Sequence, residues 1–164
     1  GVQTCALPIQ LVATDHCPFD FHGQKELGRG DFRNIPNGLP TVEDRVDLLH
    51  DGGVVGGRIS RERWVEIMAT APARMFGMYP KKGAIAVGSD ADILVYDPNR
   101  KRTISAATHH MDVDYSIFEG FEIQGASDVV MSRGTILVRD GAWVGPAGHG
   151  RFLRRDVTDH ARIS

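Results

Sequence analysis

Cysteine is almost missing from this chain of 164 residues; Cys5 and Cys17 are the two it has. A disulfide framework is therefore excluded as the basis of the fold. Long apolar runs are missing as well, and none approaches the roughly 20 residues that a membrane span needs. Charge of one sign is not gathered anywhere, and the formal net charge is only -2. That balance argues against a nucleic-acid or other polyanionic partner. No basic-then-apolar leader opens the chain, and no repeat or low-complexity tract interrupts it. The expectation from these absences is a soluble, cytoplasmic protein with no membrane partner.

What is present is densest between Leu11 and Pro40. Leu11-Val12-Ala13 reads as a short buried strand that leads into Thr14-Asp15-His16-Cys17-Pro18-Phe19, and Pro18 breaks any pairing beyond it. Asp15 is then expected where a strand gives way to a loop, the place from which catalytic residues hang in a β/α barrel. Residues 20–40 carry Gly23, Gly28, Gly30, Pro36, Gly38 and Pro40 among charged side chains. That composition specifies turns, and a loop of this length beside Asp15 reads as a lid or pocket wall. Lys25, Arg29 and Asp31 are expected to hold it together by local pairs.

Further on, Thr41 is placed to cap a helix with Asp44 in capping-box position, and Gly52-Gly53 to end it. Ser60 caps the next helix, with Trp64, Ile67 and Met68 as its inner stripe. Pro72 is expected to stop that helix and open a short second one that Gly77 terminates. Lys82 to Asp92 forms a turn feeding a strand, Ile93 to Tyr96, which Asp97-Pro98 closes. Asp90 and Asp92 are read as ties to turn backbone N–H groups rather than metal ligands. Val129 to Met131, Thr135 to Val138 and Ala142 to Val144 are three strands separated by Arg133-Gly134 and Asp140-Gly141.

Thr14-Asp15-His16-Cys17-Pro18-Phe19, Gly23-Gln24-Lys25-Glu26-Leu27-Gly28, Asp31-Phe32 and Ile35-Pro36-Asn37-Gly38 closely resemble the dihydropyrimidinase/D-hydantoinase group of the amidohydrolase superfamily. The likeness runs from about Leu11 to about Leu153. It implies a metal-dependent hydrolase that opens dihydropyrimidine or hydantoin rings to N-carbamoyl amino acids. It also implies an α/β fold class: the carboxy-terminal fragment of a β/α (TIM) barrel, with its last strand and following helices, plus part of a small β-sandwich. A whole barrel needs about 250 residues, so the chain is expected to be a fragment, inactive by itself. The expected organisation is a barrel end over residues 10–80, a sandwich portion over 81–146 and a tail over 147–164. Residues 1–9 match, residue for residue, the translation of a common short-read sequencing adapter, and the expectation is an artefact there. The alternative is a genuine apolar strand.

The resemblance implies that Asp15 is both a metal ligand and the catalytic proton carrier, for two divalent ions, zinc by expectation. Asn37 is implied to contact the ring amide of a small cyclic amide substrate. His16 either orients Asp15 from behind or lines the pocket. The group's other metal ligands, a His-x-His pair, a carboxylated lysine and two further histidines, are absent from this chain. Its seven histidines show no His-x-His spacing, and His109-His110 read as surface or sandwich-edge residues. Cys17 reads as a packing residue. The parent is implied to be a homotetramer. A non-catalytic scaffold homologue and a sister cyclic amidase (allantoinase or dihydroorotase) stand as alternatives.

Overall fold

The computed structural model describes residues 10–157; the expectation for residues 1–9 lies outside them. Helix α1, Arg45–Leu49, runs on as wider π-helical turns through His50–Val55. It starts later than expected because Thr41 is used elsewhere: its hydroxyl donates to the Thr14 carbonyl at 3.0 Å. Asp44 does not cap the helix either, since its side chain is fully buried. Gly52-Gly53 lie within the helical path instead of ending it. The stop comes at Gly57, whose φ of 68° only glycine adopts without strain.

Helix α2, Arg61–Val65, begins where the sequence indicates, with the Ser60 hydroxyl accepting from the Arg63 N–H at 3.1 Å. It continues through π-helical turns, Glu66–Thr70, into α3, Ala71–Met75. Pro72 therefore does not interrupt the path. Proline has no N–H to give to the preceding turn, and at the first turn of α3 none is required. Ile67, Ala71 and Ala73 are the buried residues of this stretch.

Four strands form one open sheet in the order β1-β2-β3-β4: β1 Ile93–Thr103, β2 Glu122–Ser132, β3 Thr135–Arg139 and β4 Ala142–Trp143. β2 and β3 pair antiparallel with Val130 opposite Val138, and β3 and β4 with Val138 opposite Trp143. The two connecting turns have positive φ at both central residues, 47° and 78° at Arg133-Gly134 and 50° and 78° at Asp140-Gly141. Those are primed turns, whose twist matches the flanking strands. β1 runs through Pro98 rather than stopping there, which an edge strand tolerates because a missing donor can face away from the sheet. β2 begins at Glu122, well before Val129.

The barrel expectation is overturned. Residues 10–15, where its last strand was expected, form no strand. In place of a parallel ladder there is a single bridge, His16 to Leu39. A parallel strand needs a continuous ladder of slanted hydrogen bonds, and Leu11 to Ala13 carry no strand. What the chain builds is a small antiparallel sheet with two helical stretches.

The chain divides into two compact units. The described part of one comprises residues 10–12, Ile59–Asp97 and 127–157; the other comprises Ala13–Arg58 and Pro98–Ala126. The first has α2 and α3 with β3 and β4. Within it the Asp156 N–H donates to the Gly77 carbonyl at 2.8 Å, a contact so close that a Cβ at Gly77 would sit 2.0 Å from the Asp156 oxygen. The second unit has α1, and Ile104, Ile123 and Ala126 are its buried apolar residues. The candidate site lies in this second unit.

Candidate functional site

The sequence from Thr14 to Phe19 would stray into solvent if nothing tied it down. It is tied to the far end of its own loop. His16 bridges Leu39, and the Cys17 N–H donates to the Leu39 carbonyl at 3.3 Å. The His16 ring adds a second clasp, its Nδ1 accepting from the N–H groups of Thr41 (3.1 Å) and Val42 (3.3 Å). An Nδ1 that accepts carries a lone pair, so the ring proton is on Nε2. Gly38 allows the approach: a Cβ there would lie 2.3 Å from the Cys17 oxygen and 2.5 Å from the Cys17 Cβ. Cys17 itself is exposed rather than packed away.

Asp15 stands immediately before this clasp. Its backbone is left-handed, with φ at 50°, a conformation that aspartate tolerates better than most residues. The side chain is exposed. Asn37 stands on the other side of the clasp, also exposed, between Pro36 and Gly38. The bridge thus brings the Asp15 and Asn37 segments to one end of the loop, although they are 22 positions apart in sequence.

Between them the loop is not slack. Two 3₁₀ turns, Lys25–Gly28 and Phe32–Asn34, give it shape. Arg29 pairs with Glu26 at 2.7 Å and Arg33 with Asp31 at 2.8 Å, and these guanidinium groups hold both carboxyls below the usual carboxylate range. The Lys25 ammonium donates to the carbonyls of Pro36 and, at 2.6 Å, of Gly38. It also lies 5.1 Å from the centre of the Phe19 ring. The loop tip is held by Asp114, whose carboxylate accepts from the N–H groups of His22 (3.0 Å) and Phe21 (2.6 Å). Those two bonds lower its pKa. Tyr115 meets the Phe21 ring edge-on at 5.8 Å.

A second set of charged side chains in the same unit is buried. The Asp44 Oδ1 accepts from His109 Nε2 at 3.1 Å and lies 3.6 Å from Arg102 Nη2. Arg102 also donates to Asp47 Oδ2 through Nη2 (2.7 Å) and Nε (3.1 Å). The His109 side chain is 1 % exposed. This corrects the expectation of a surface residue; only its neighbour His110, paired with Glu43 at 2.8 Å, is open to solvent. Sequence reading missed this cluster. Its available signal was Asp44 and Asp47, three residues apart and so on one helical face.

Among the described residues no group of three His, Cys, Asp or Glu side chains could hold a metal ion. His50 donates through Nδ1 to the Gln124 carbonyl at 2.8 Å, and His149 through Nε2 to the Ser132 carbonyl at 3.0 Å. Asp92 accepts from the Arg133 N–H at 2.8 Å, and Asp90 pairs with Lys82 at 3.0 Å. Asp92 thus ties a turn N–H, and both carboxylates sit against the Lys82 ammonium. No helix among the described residues is long and apolar enough to cross a membrane.

The amidohydrolase family model matches residues 9–137. A D-hydantoinase of Streptomyces coelicolor is 59% identical over 147 residues, which is 90% of this chain and 31% of that protein. The D-hydantoinase structure from Bacillus sp. AR9 superposes with a TM-score of 0.87 at 57% identity, covering 89% of this chain and 32% of that one. A dihydropyrimidinase structure from Brevibacillus agri gives a TM-score of 0.87 at 55% identity over the same shares. The chain therefore spans about a third of the length of the relatives it matches.

Proposed function

Because this chain belongs to the amidohydrolase family, in its hydantoinase and dihydropyrimidinase group, we propose that the whole protein hydrolyses cyclic amides. In this reading it opens hydantoin or dihydropyrimidine rings to N-carbamoyl amino acids. The observation that carries the reading is the clasp between His16-Cys17 and Leu39-Val42, beside which Asp15 and Asn37 are both exposed.

The chemistry asks for a group that takes a proton from water and returns it to the leaving nitrogen. Asp15 suits that work, because a carboxylate open to solvent can meet both the water and the substrate. Water attacks the ring carbonyl carbon while Asp15 accepts its proton. The carbon–nitrogen bond then breaks, and the proton passes from Asp15 to the departing nitrogen. Asn37 presents both a donor and an acceptor to the N–H and C=O groups of the ring. His16, with its Nδ1 occupied by backbone N–H groups, fixes the chain direction next to Asp15.

The described residues do not compose a metal centre by themselves, and Asp15 offers one carboxylate to it. In our reading the other ligands belong to the remainder of the protein. Two divalent ions bound there, zinc by preference, would acidify water and polarise the carbonyl. The chain alone is accordingly expected neither to bind a metal pair nor to hydrolyse dihydrouracil, and zinc-dependent ring opening by the purified 164-residue chain would refute that. The direct test of the site is Asp15→Asn in the full-length protein. Turnover should fall by about 10² to 10⁴ with the melting temperature held; near-normal turnover would overturn the assignment.

A further inference from the structure

We infer that Lys25 is a positioning residue, one that fixes the turn presenting Asn37 to substrate. The inference rests on the reading of Asn37 given above and adds the device that makes it work. The Lys25 ammonium donates to the carbonyls of Pro36 and Gly38, the residues on either side of Asn37. Two bonds straddling one residue remove most of the freedom of that peptide segment. A third contact joins the same ammonium to the Asp15 segment, since it faces the Phe19 ring at 5.1 Å. Lys25 is half-buried, so these bonds are screened less than those of the exposed pairs at Arg29 and Arg33.

No other side chain holds Pro36 or Gly38 in this way among the described hydrogen bonds. Asn37 itself is exposed. In this assignment the Lys25 ammonium is spent on the two carbonyls and the Phe19 ring rather than on substrate or reacting atoms. Its loss should therefore weaken ground-state and transition-state binding alike and leave the chemical step in place.

The experiment is steady-state hydrolysis of dihydrouracil by the full-length, zinc-loaded protein carrying Lys25→Met, Asn37→Ala, both together, or Lys25→Arg. Asn37→Ala and Lys25→Met should each raise KM by about tenfold with kcat within about threefold. The double variant should be no worse than Asn37→Ala, because the two residues act as one unit. Lys25→Arg, which keeps a cation able to reach the carbonyls, should recover most of the loss. A normal KM in Lys25→Met beside a raised KM in Asn37→Ala overturns the positioning role and leaves the Asn37 reading standing. Multiplying effects in the double variant overturn it too. A normal KM in Asn37→Ala overturns the Asn37 reading and the role that rests on it. If Lys25→Met fails to fold, Lys25→Gln, which retains a donor for one carbonyl, takes its place. A KM rise of about threefold is then expected, and no rise overturns the inference.

Discussion

Two regions of the same unit use the same kinds of side chain to opposite ends. Around Asp15 the carboxylate and the amide of Asn37 face solvent, and the bonds that hold them run through backbone: His16 to the N–H groups of Thr41 and Val42, Lys25 to the carbonyls of Pro36 and Gly38. Around Asp44 the carboxylates face inward, and their partners are other charged or ring groups, Arg102 and His109. In the first region the polar side chains are left over after the fold has been satisfied. In the second they are what satisfies it. An aspartate beside a histidine is thus available for chemistry in one place and committed to architecture in the other, and burial distinguishes them where residue type does not.

The comparison is tested most severely by exchanging carboxylate for amide or alanine on each side. Asp15→Asn should bring the largest effect, the loss in turnover stated above, and should leave thermal melting where it was. A drop in the melting temperature of the metal-free protein would mean that Asp15 also bears structure, and the contrast would fail. Asp44→Ala should do the reverse. Arg102 keeps Asp47, but the buried His109 N–H loses its acceptor, at a cost of about 1–3 kcal/mol. Denaturant unfolding of the full-length protein measures it, and a loss under about 1 kcal/mol would show that His109 and Arg102 are content without Asp44.

How far could the sequence have told these regions apart? The turns were readable, because Arg133-Gly134 and Asp140-Gly141 need positive φ and carry residues that supply it. The Ser60 cap was readable for the same local reason. The strand at Leu11 to Ala13 was not: an apolar run says only that a segment can pair, and among the described residues this one forms no strand. Pro98 misled in the other direction, since a proline ends a strand only where its missing donor matters, and β1 is an edge. Thr41 had the right type and spacing for a cap, yet its hydroxyl went to Thr14, 27 positions away. At the candidate site the motif indicated Asp15, Asn37 and the local pairs of the loop. The backbone clasp that gathers them depends on Gly38 passing within a bond's reach of Cys17, which no spacing reveals.

The finest division of the comparison lies between two adjacent residues. His109 and His110 read identically in sequence, and both were expected at a surface or sandwich edge. Consecutive side chains leave an extended backbone on opposite sides, and here one side is interior. His109 gives its Nε2 proton to Asp44 in a fully buried setting, whereas His110 meets Glu43 with 42% of its side chain exposed. His109→Ala leaves a buried carboxylate short of a donor and should cost about 1–3 kcal/mol. His110→Ala removes an exposed pair whose attraction water and salt largely screen, so its cost should stay below about 1 kcal/mol. Where His110 is protonated, raising the ionic strength should shrink its effect further and leave that of His109 nearly unchanged. Paired melts of both variants at low and high salt provide the measurement. Equal losses, or a salt-sensitive loss at His109, would mean that water reaches Asp44, and the division between presented and committed carboxylates would have to be withdrawn there.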